Sequence, residues 1–248
     1  MSDLVAYIRE RYQYTLDQIA TAAHKSGRAS DDIRLVVVTK LQPLKVVQAA
    51  IEAGVRILGE NYPEEGVTKI QFLPLQSGVE WHMLGHVQSR KARLVAEHFE
   101  LLHSLDSFKL AQRLDRFAAE QNRILPVLLE FNVGGDENKS GWNASNDSRW
   151  NVFLPEVGSI LDLPNLRVHG LMTMPPLGAD PEDSRRFFLR LRLLRDHLAS
   201  IFPHVDWHEL SMGTSADYRV AVEEGATLVR VGTAIVGERN YKSEKEAL

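Results

Sequence analysis

The sequence contains no cysteine, and that absence removes disulfides, thiolate metal sites and cysteine nucleophiles together. It has no excess of positive charge either. With 29 Lys and Arg against 33 Asp and Glu, the formal charge is −4, which gives no electrostatic footprint for nucleic acid or an anionic membrane. No apolar run approaches the ~18 residues that a spanning helix needs. The N-terminus, MSDLVAYIRERYQYTL, carries acids and bases where a secretory signal would carry an apolar core. A cytoplasmic protein with no nucleic-acid or membrane partner is expected. At 248 residues the chain has the length at which a (β/α)8 barrel closes as one unit, so a single domain over residues 1–248 is expected.

What is present is alternation. Leu4, Val5, Ile8, Tyr12, Leu16 and Ile19 recur at helical spacing and the pattern breaks at Gly27, which predicts an amphipathic helix over 3–24. Eight short apolar runs follow: Leu35 to Lys40, Ile57 to Asn61, Trp81 to His86, Leu101 to Asp106, Leu125 to Val133, Val168 to Met174, Trp207 to Gly213 and Leu228 to Ile235. Between them lie helical stretches at 43–53, 62–72, 88–98, 107–121, 148–161, 181–200 and 215–224, each long enough to return the chain to a parallel neighbour. The pattern predicts an α/β fold, a single (β/α)8 TIM-type barrel with an extra N-terminal helix. A doubly wound open sheet is the alternative, but it favours a Gly-rich turn after the first strand, and Thr39-Lys40-Leu41-Gln42-Pro43 stands there instead. Gly134 to Asp147 is polar and linker-like, and the charged tail from Lys242 to Leu248 is expected to fray.

Barrel sites gather at the C-terminal ends of the strands. The rule selects Lys40, Asn61, His86, Asp106, Thr173, Ser211 to Gly213 and Arg230 to Thr233. Lys40 is either a solvated strand end or a reagent. Alternation turns Lys40, Val36 and Val38 toward one face and Leu35, Val37 and Thr39 toward the other. An amine inside an apolar mouth would be desolvated, which favours the neutral nucleophile. Arg230 shares a face with Leu228 and Gly232, and a guanidinium on so apolar a strand needs a partner, with Glu60 or Glu209 as ion-pair candidates. Gly232-Thr233 and the turn Ser211-Met212-Gly213-Thr214-Ser215 offer backbone N–H groups and hydroxyls after the last two strands, where barrels commonly bind phosphate.

No metal site is expected. His82 and His86, four residues apart on a strand, would be ~13 Å from each other, and His208 and Glu209 would face opposite ways. His86 is expected to line the site. No Ser/His/Asp set or carboxylate pair is legible, and Trp142 and Trp150 read as packing residues.

Six segments in order carry a resemblance: Val37-Val38-Thr39-Lys40, Gly59-Glu60-Asn61-Tyr62, Trp81 to Ser89, His169-Gly170-Leu171-Met172-Thr173-Met174, Leu210 to Asp217 and Val229 to Gly237. Together they resemble the pyridoxal-phosphate homeostasis protein family, whose barrel is similar to the N-terminal domain of alanine racemases. The resemblance implies a pyridoxal 5′-phosphate (PLP) cofactor held as an imine on Lys40. It places Ser211, Gly213, Gly232 and Thr233 around the phosphate, Asn61 and Met212 along the ring, and Arg230 at the pyridine nitrogen. Lys40 and the phosphate cradle are expected on opposite sides of the mouth. Thr214, Val236 and Pro63 depart from the family pattern and touch only local packing.

Three functions are compatible with such a site: a PLP carrier supplying apo-enzymes, a PLP-dependent racemase or decarboxylase, and a cofactor-free Schiff-base aldolase, for which Glu60 would be the proton shuttle. Related racemases continue into a second, β-rich domain, and this chain stops about a dozen residues after its last strand. Arg230 can only donate to the ring nitrogen, which weakens the ring as an electron sink. The expectation is a monomeric binding protein without significant catalysis. Lys139, in the fifth loop, is expected to be an exposed loop lysine.

Overall fold

The computed structural model describes residues 1–73, 78–176 and 178–238, so the tail from Lys242 lies outside the described residues. The eight apolar runs become strands: β1 (Arg34–Val38), β2 (Ile57–Glu60), β3 (Glu80–Met83), β4 (Leu101–Leu105), β5 (Leu125–Asn132), β7 (Leu166–Met172), β8 (Glu209–Ser211) and β9 (Leu228–Val231). A two-residue β6 (Trp142–Asn143) pairs with the end of β5. Neighbours run in parallel in the order β4-β3-β2-β1-β9-β8-β7-β5, and pairing of β4 with β5 closes the ring. This is the TIM-type barrel that the alternation predicts.

Every strand stops short of its apolar run, β3 and β9 by the most. β3 ends at Met83, so His86 lies in the following loop, and β9 ends at Val231, where Gly232 turns the chain into the short helix α9 (Thr233–Val236).

The helices α2 (Leu44–Glu52), α3 (Pro63–Phe72), α4 (Ala92–His98), α5 (Phe108–Glu120), α6 (Trp150–Leu161), α7 (Arg185–Ile201) and α8 (Tyr218–Glu223) form the outer layer. The opening helix α1 (Ser2–Lys25) buries Val5, Ile8, Ile19, Ala22 and Ala23 and packs against α8, α2 and α9. α9, after the last strand, is a single turn, and α1 covers the flank that a longer helix would cover.

Strand alternation separates two cores. Leu35 and Val37 face the helices in the main cluster, whereas Val36, Leu101, Leu128, Met172 and Leu228 fill the barrel interior. Trp150 is buried and Trp142 packs on Phe131 with ring centroids 5.5 Å apart, both as packing residues.

Candidate functional site

Beyond Val38 the chain leaves the sheet. Lys40 sits in a turn, and Leu41 adopts φ 58°, a left-handed conformation uncommon for a residue with a side chain. Groups outside the barrel hold this backbone. The Leu41 N–H donates to Glu65 Oε1 at 2.6 Å, and Lys69 Nζ donates to the Thr39 carbonyl at 2.7 Å, to Glu60 Oε1 at 2.8 Å and to Glu65 Oε1 at 2.6 Å. Thr39 Oγ1 also donates to Glu60 Oε1, at 2.6 Å. Burial raises the Glu60 pKa, and the Lys69 ammonium opposes it. Because Thr39 faces the helices, α3 can grip it from behind while Lys40 enters the mouth. Glu60, fully buried in this network, does not line the cavity beside Lys40, which leaves the aldolase reading without its proton shuttle.

The cavity at the C-terminal mouth has a volume of about 440 Å³, within the range of small-molecule sites. Lys40, Asn61, His86, Gly232 and Thr233 line it, as expected from the strand ends, and Val38, Leu84, Glu130 and Arg230 lie deeper. β1 pairs directly with β9, so Lys40 and the Gly232 turn are neighbours on the rim rather than opposite each other. Closure of the ring makes first and last strands adjacent, which corrects the expected placement.

Arg230 is buried inside the barrel. Its partners are neither Glu60 nor Glu209: Nη1 donates to Ser211 Oγ at 2.5 Å, and Nη2 donates to the Thr173 carbonyl at 2.8 Å. Burial pushes its pKa down to about 10, with Asp217 and Glu130 opposing, so it remains a cation at neutral pH. Glu209 instead pairs with Arg34 and accepts from Thr227.

Ser211 also lies 2.7 Å from His103 Nδ1. His103 Nε2 lies 3.0 Å from His82 Nδ1, and His82 Nε2 lies 3.3 Å from Glu80 Oε2. Burial holds both imidazoles below their ordinary pKa, His103 well below. With neutral rings, one arrangement gives each contact one hydrogen: Arg230 donates to Ser211, Ser211 to His103, His103 to His82 and His82 to Glu80. A directed column of hydrogen bonds thus runs down the barrel axis from the guanidinium.

The remaining expected site residues separate. Met212 is buried among helix-facing residues, and Gly213 has φ 89° with no room for a side chain, since a Cβ there would meet Ala221 Cβ at 2.5 Å. Neither lines the cavity, nor does Ser211; Thr214, Ser215 and Ala216 from the same turn do. The Gly232 N–H donates to Ser215 Oγ at 3.2 Å. On the far rim, His86 Nδ1 lies 2.7 Å from Asp106 Oδ2. Lys139 Nζ donates to the Met174 carbonyl at 2.9 Å, and burial lowers its pKa against the pull of Asp136 and Glu130.

Sequence reasoning missed Glu130. Its carboxyl is pushed up to about 7 by burial, with Asp106 adding to the shift and Arg230 and Lys139 opposing it. Its Oε2 is a buried oxygen without a hydrogen-bond partner among the described residues. The signal was a lone carboxylate in the apolar run Leu125 to Val133.

Fold and mouth together define a barrel that presents an amine, a guanidinium and a backbone N–H turn to one cavity. The chain belongs to the family "Alanine racemase, N-terminal domain", which matches residues 15–240. It is 40% identical over 238 residues to the pyridoxal phosphate homeostasis protein of Vibrio cholerae, covering 94% of this chain and 97% of the relative. Solved structures of PipY from Synechococcus elongatus superpose without PLP (TM-score 0.82, 34% identity) and with PLP bound (TM-score 0.79, 33% identity), each covering 93% of this chain and 100% of PipY. Among the described residues no helix is long and apolar enough to cross a membrane.

Proposed function

We propose that this chain, a cytoplasmic monomer of one domain, binds PLP at the C-terminal mouth through Lys40 and supplies it to apo-enzymes in vitamin B6 homeostasis, without turning over amino acids at an enzymatic rate. The observation that carries the reading is the convergence of Lys40, Arg230 and the Gly232 turn on one cavity. The donor set suits the cofactor. Thr233 offers a backbone N–H group and a hydroxyl to a phosphate, joined by Thr214 and Ser215 from the neighbouring turn, and the Gly232 N–H holds Ser215 Oγ beside them. Gly232 also approaches the Val38 carbonyl so closely that a Cβ would lie 3.2 Å from it, so a side chain there would crowd the cradle. Ser211 and Gly213 serve the cradle indirectly, Ser211 by holding Arg230 and Gly213 by shaping the turn, and Met212 packs behind it. Asn61 and His86 border the ring.

When bound, PLP supplies an aldehyde that a primary amine captures and a ring that accepts electrons. Lys40 supplies that amine. Arg230, still protonated at neutral pH, has hydrogens to give and none to take, so it holds a facing ring nitrogen as an acceptor. An unprotonated nitrogen is a weaker electron sink, which supports carriage over carbanion chemistry. The names of the homologues point the same way. The test is to mix PLP-loaded protein with an apo-aminotransferase and, separately, to follow α-proton exchange in deuterated water with alanine, serine and lysine. Restored aminotransferase activity without multi-turnover exchange is expected. Several exchanges per second with any of the amino acids would make the chain an enzyme.

A further inference from the structure

The barrel has a second mouth, at the N-terminal ends of the strands, and it holds a cavity of about 330 Å³. Its lining includes Glu80, Glu100 and Glu209 against the single guanidinium of Arg34, a balance that favours a cation. Two backbone irregularities aim His169 at this cavity. The register between β5 and β7 runs from Val127 opposite Val168 to Leu128 opposite Gly170, leaving His169 as the extra residue of a β-bulge, a device that redirects a side chain. Gly170, with φ 153°, then lets β7 pass so close to β8 that a Cβ would lie 1.9 Å from the Glu209 carbonyl oxygen.

The bulge brings His169 to His208, with ring centroids 5.3 Å apart. One donor atom from each of His169, Asp206 and His208 lies within 4.8 Å of the others. His208 precedes β8, so strand alternation does not separate it from Glu209 as the sequence suggested: its Nε2 is 3.0 Å from Glu209 Oε1 and its Nδ1 is 3.0 Å from Asp206 Oδ2. Both ring nitrogens of His208 thus face carboxylates, and its Nδ1 points toward the exposed Asp206, the side open to an ion. A carboxylate behind a histidine is also how ligating imidazoles are oriented in metal sites. His169 Nδ1 is a buried nitrogen with no hydrogen-bond partner among the described residues.

We propose that His169, Asp206 and His208 form a binding site for a divalent transition-metal ion of the zinc class, at the barrel face opposite the PLP cavity. Bonds of ~2.1 Å place tetrahedral ligands roughly 3.4 Å apart, a closure that the exposed Asp206 and His208 side chains can make by changing rotamer. Two imidazoles and one carboxylate suit such an ion and leave a coordination position for water.

The test uses the untagged full chain. Titration with Co²⁺, followed by its visible absorption, and then displacement by Zn²⁺ should show one ion bound per chain. Asp206→Ala, a change at an exposed position, should weaken binding by about tenfold or more. His169→Ala should do the same, with circular dichroism to verify its fold; should it unfold, Asp206→Ala decides alone. Absence of saturable binding, or a smaller loss in Asp206→Ala, would overturn the site and leave adventitious ions only.

Discussion

Ser211 Oγ lies 2.7 Å from His103 Nδ1 while accepting from Arg230, so one hydroxyl joins the guanidinium beneath the cofactor cavity to a buried histidine on the other side of the barrel. The seryl group has one hydrogen, which it gives to His103, and a lone pair, which it gives to Arg230. The direction in which Arg230 points is therefore set from below.

Replacing Ser211 with Ala leaves an Arg230 N–H and His103 Nδ1 without partners in a dry interior. The expected cost is ~1–3 kcal/mol of stability, read by urea denaturation. PLP affinity should also fall, because the guanidinium loses its fixed orientation. Unchanged stability and affinity would show that the hydroxyl positions nothing.

Glu130 predicts a pH dependence. Its folded pKa of about 7 lies above the ordinary 4.5, so the folded state prefers the protonated form and loses stability as pH rises from about 4.5 to 7. That interval corresponds to ~3 kcal/mol. Glu130→Gln should therefore match the unchanged protein near pH 4.5 and exceed it by up to ~3 kcal/mol above pH 7. A difference independent of pH would refute the assignment.

Much of this was legible beforehand, and the gaps have physical causes. The eight strands followed from apolar runs of the right length, and Lys40, Asn61, His86, Arg230, Gly232 and Thr233 from the rule that barrel sites sit at strand ends. Alternation correctly turned Val36 inward and Val37 outward. The partners of Arg230 were not legible, because the Thr173 carbonyl lies 57 residues away, and the further contact of Ser211 with His103 joins residues 108 apart that meet only once the ring closes. Strand ends were overrun at His86 and Ile235, where apolar residues continue into loop and helix. Glu130 was hidden by the run that contains it, and His169 by a bulge that no periodicity announces.

Lys69 anchors the turn that carries Lys40. Lys69→Met strands Glu60 as a buried, unpaired carboxylate, at an expected cost of ~3–5 kcal/mol, and Lys69→Met with Glu60→Gln should recover part of it. If the double variant is no more stable than the single one, the Glu60 charge is not the source of the cost.

The phosphate cradle predicts a difference between two ligands. Gly232→Val would press on Val38 O and Cβ, at 3.2 and 3.3 Å from the new Cβ, and disturb the turn proposed to hold the phosphate. Hydrogen bonds to a charged group contribute ~1.5–3 kcal/mol each, so PLP affinity should fall about tenfold or more while affinity for unphosphorylated pyridoxal changes much less. Equal losses would place the phosphate elsewhere.

The most direct test of the account is the position of the covalent bond. PLP-loaded protein reduced with borohydride, digested and mapped by mass spectrometry should carry the pyridoxyl group on Lys40. A pyridoxyl group found on Lys139 or Lys45, with Lys40 unmodified, would contradict it.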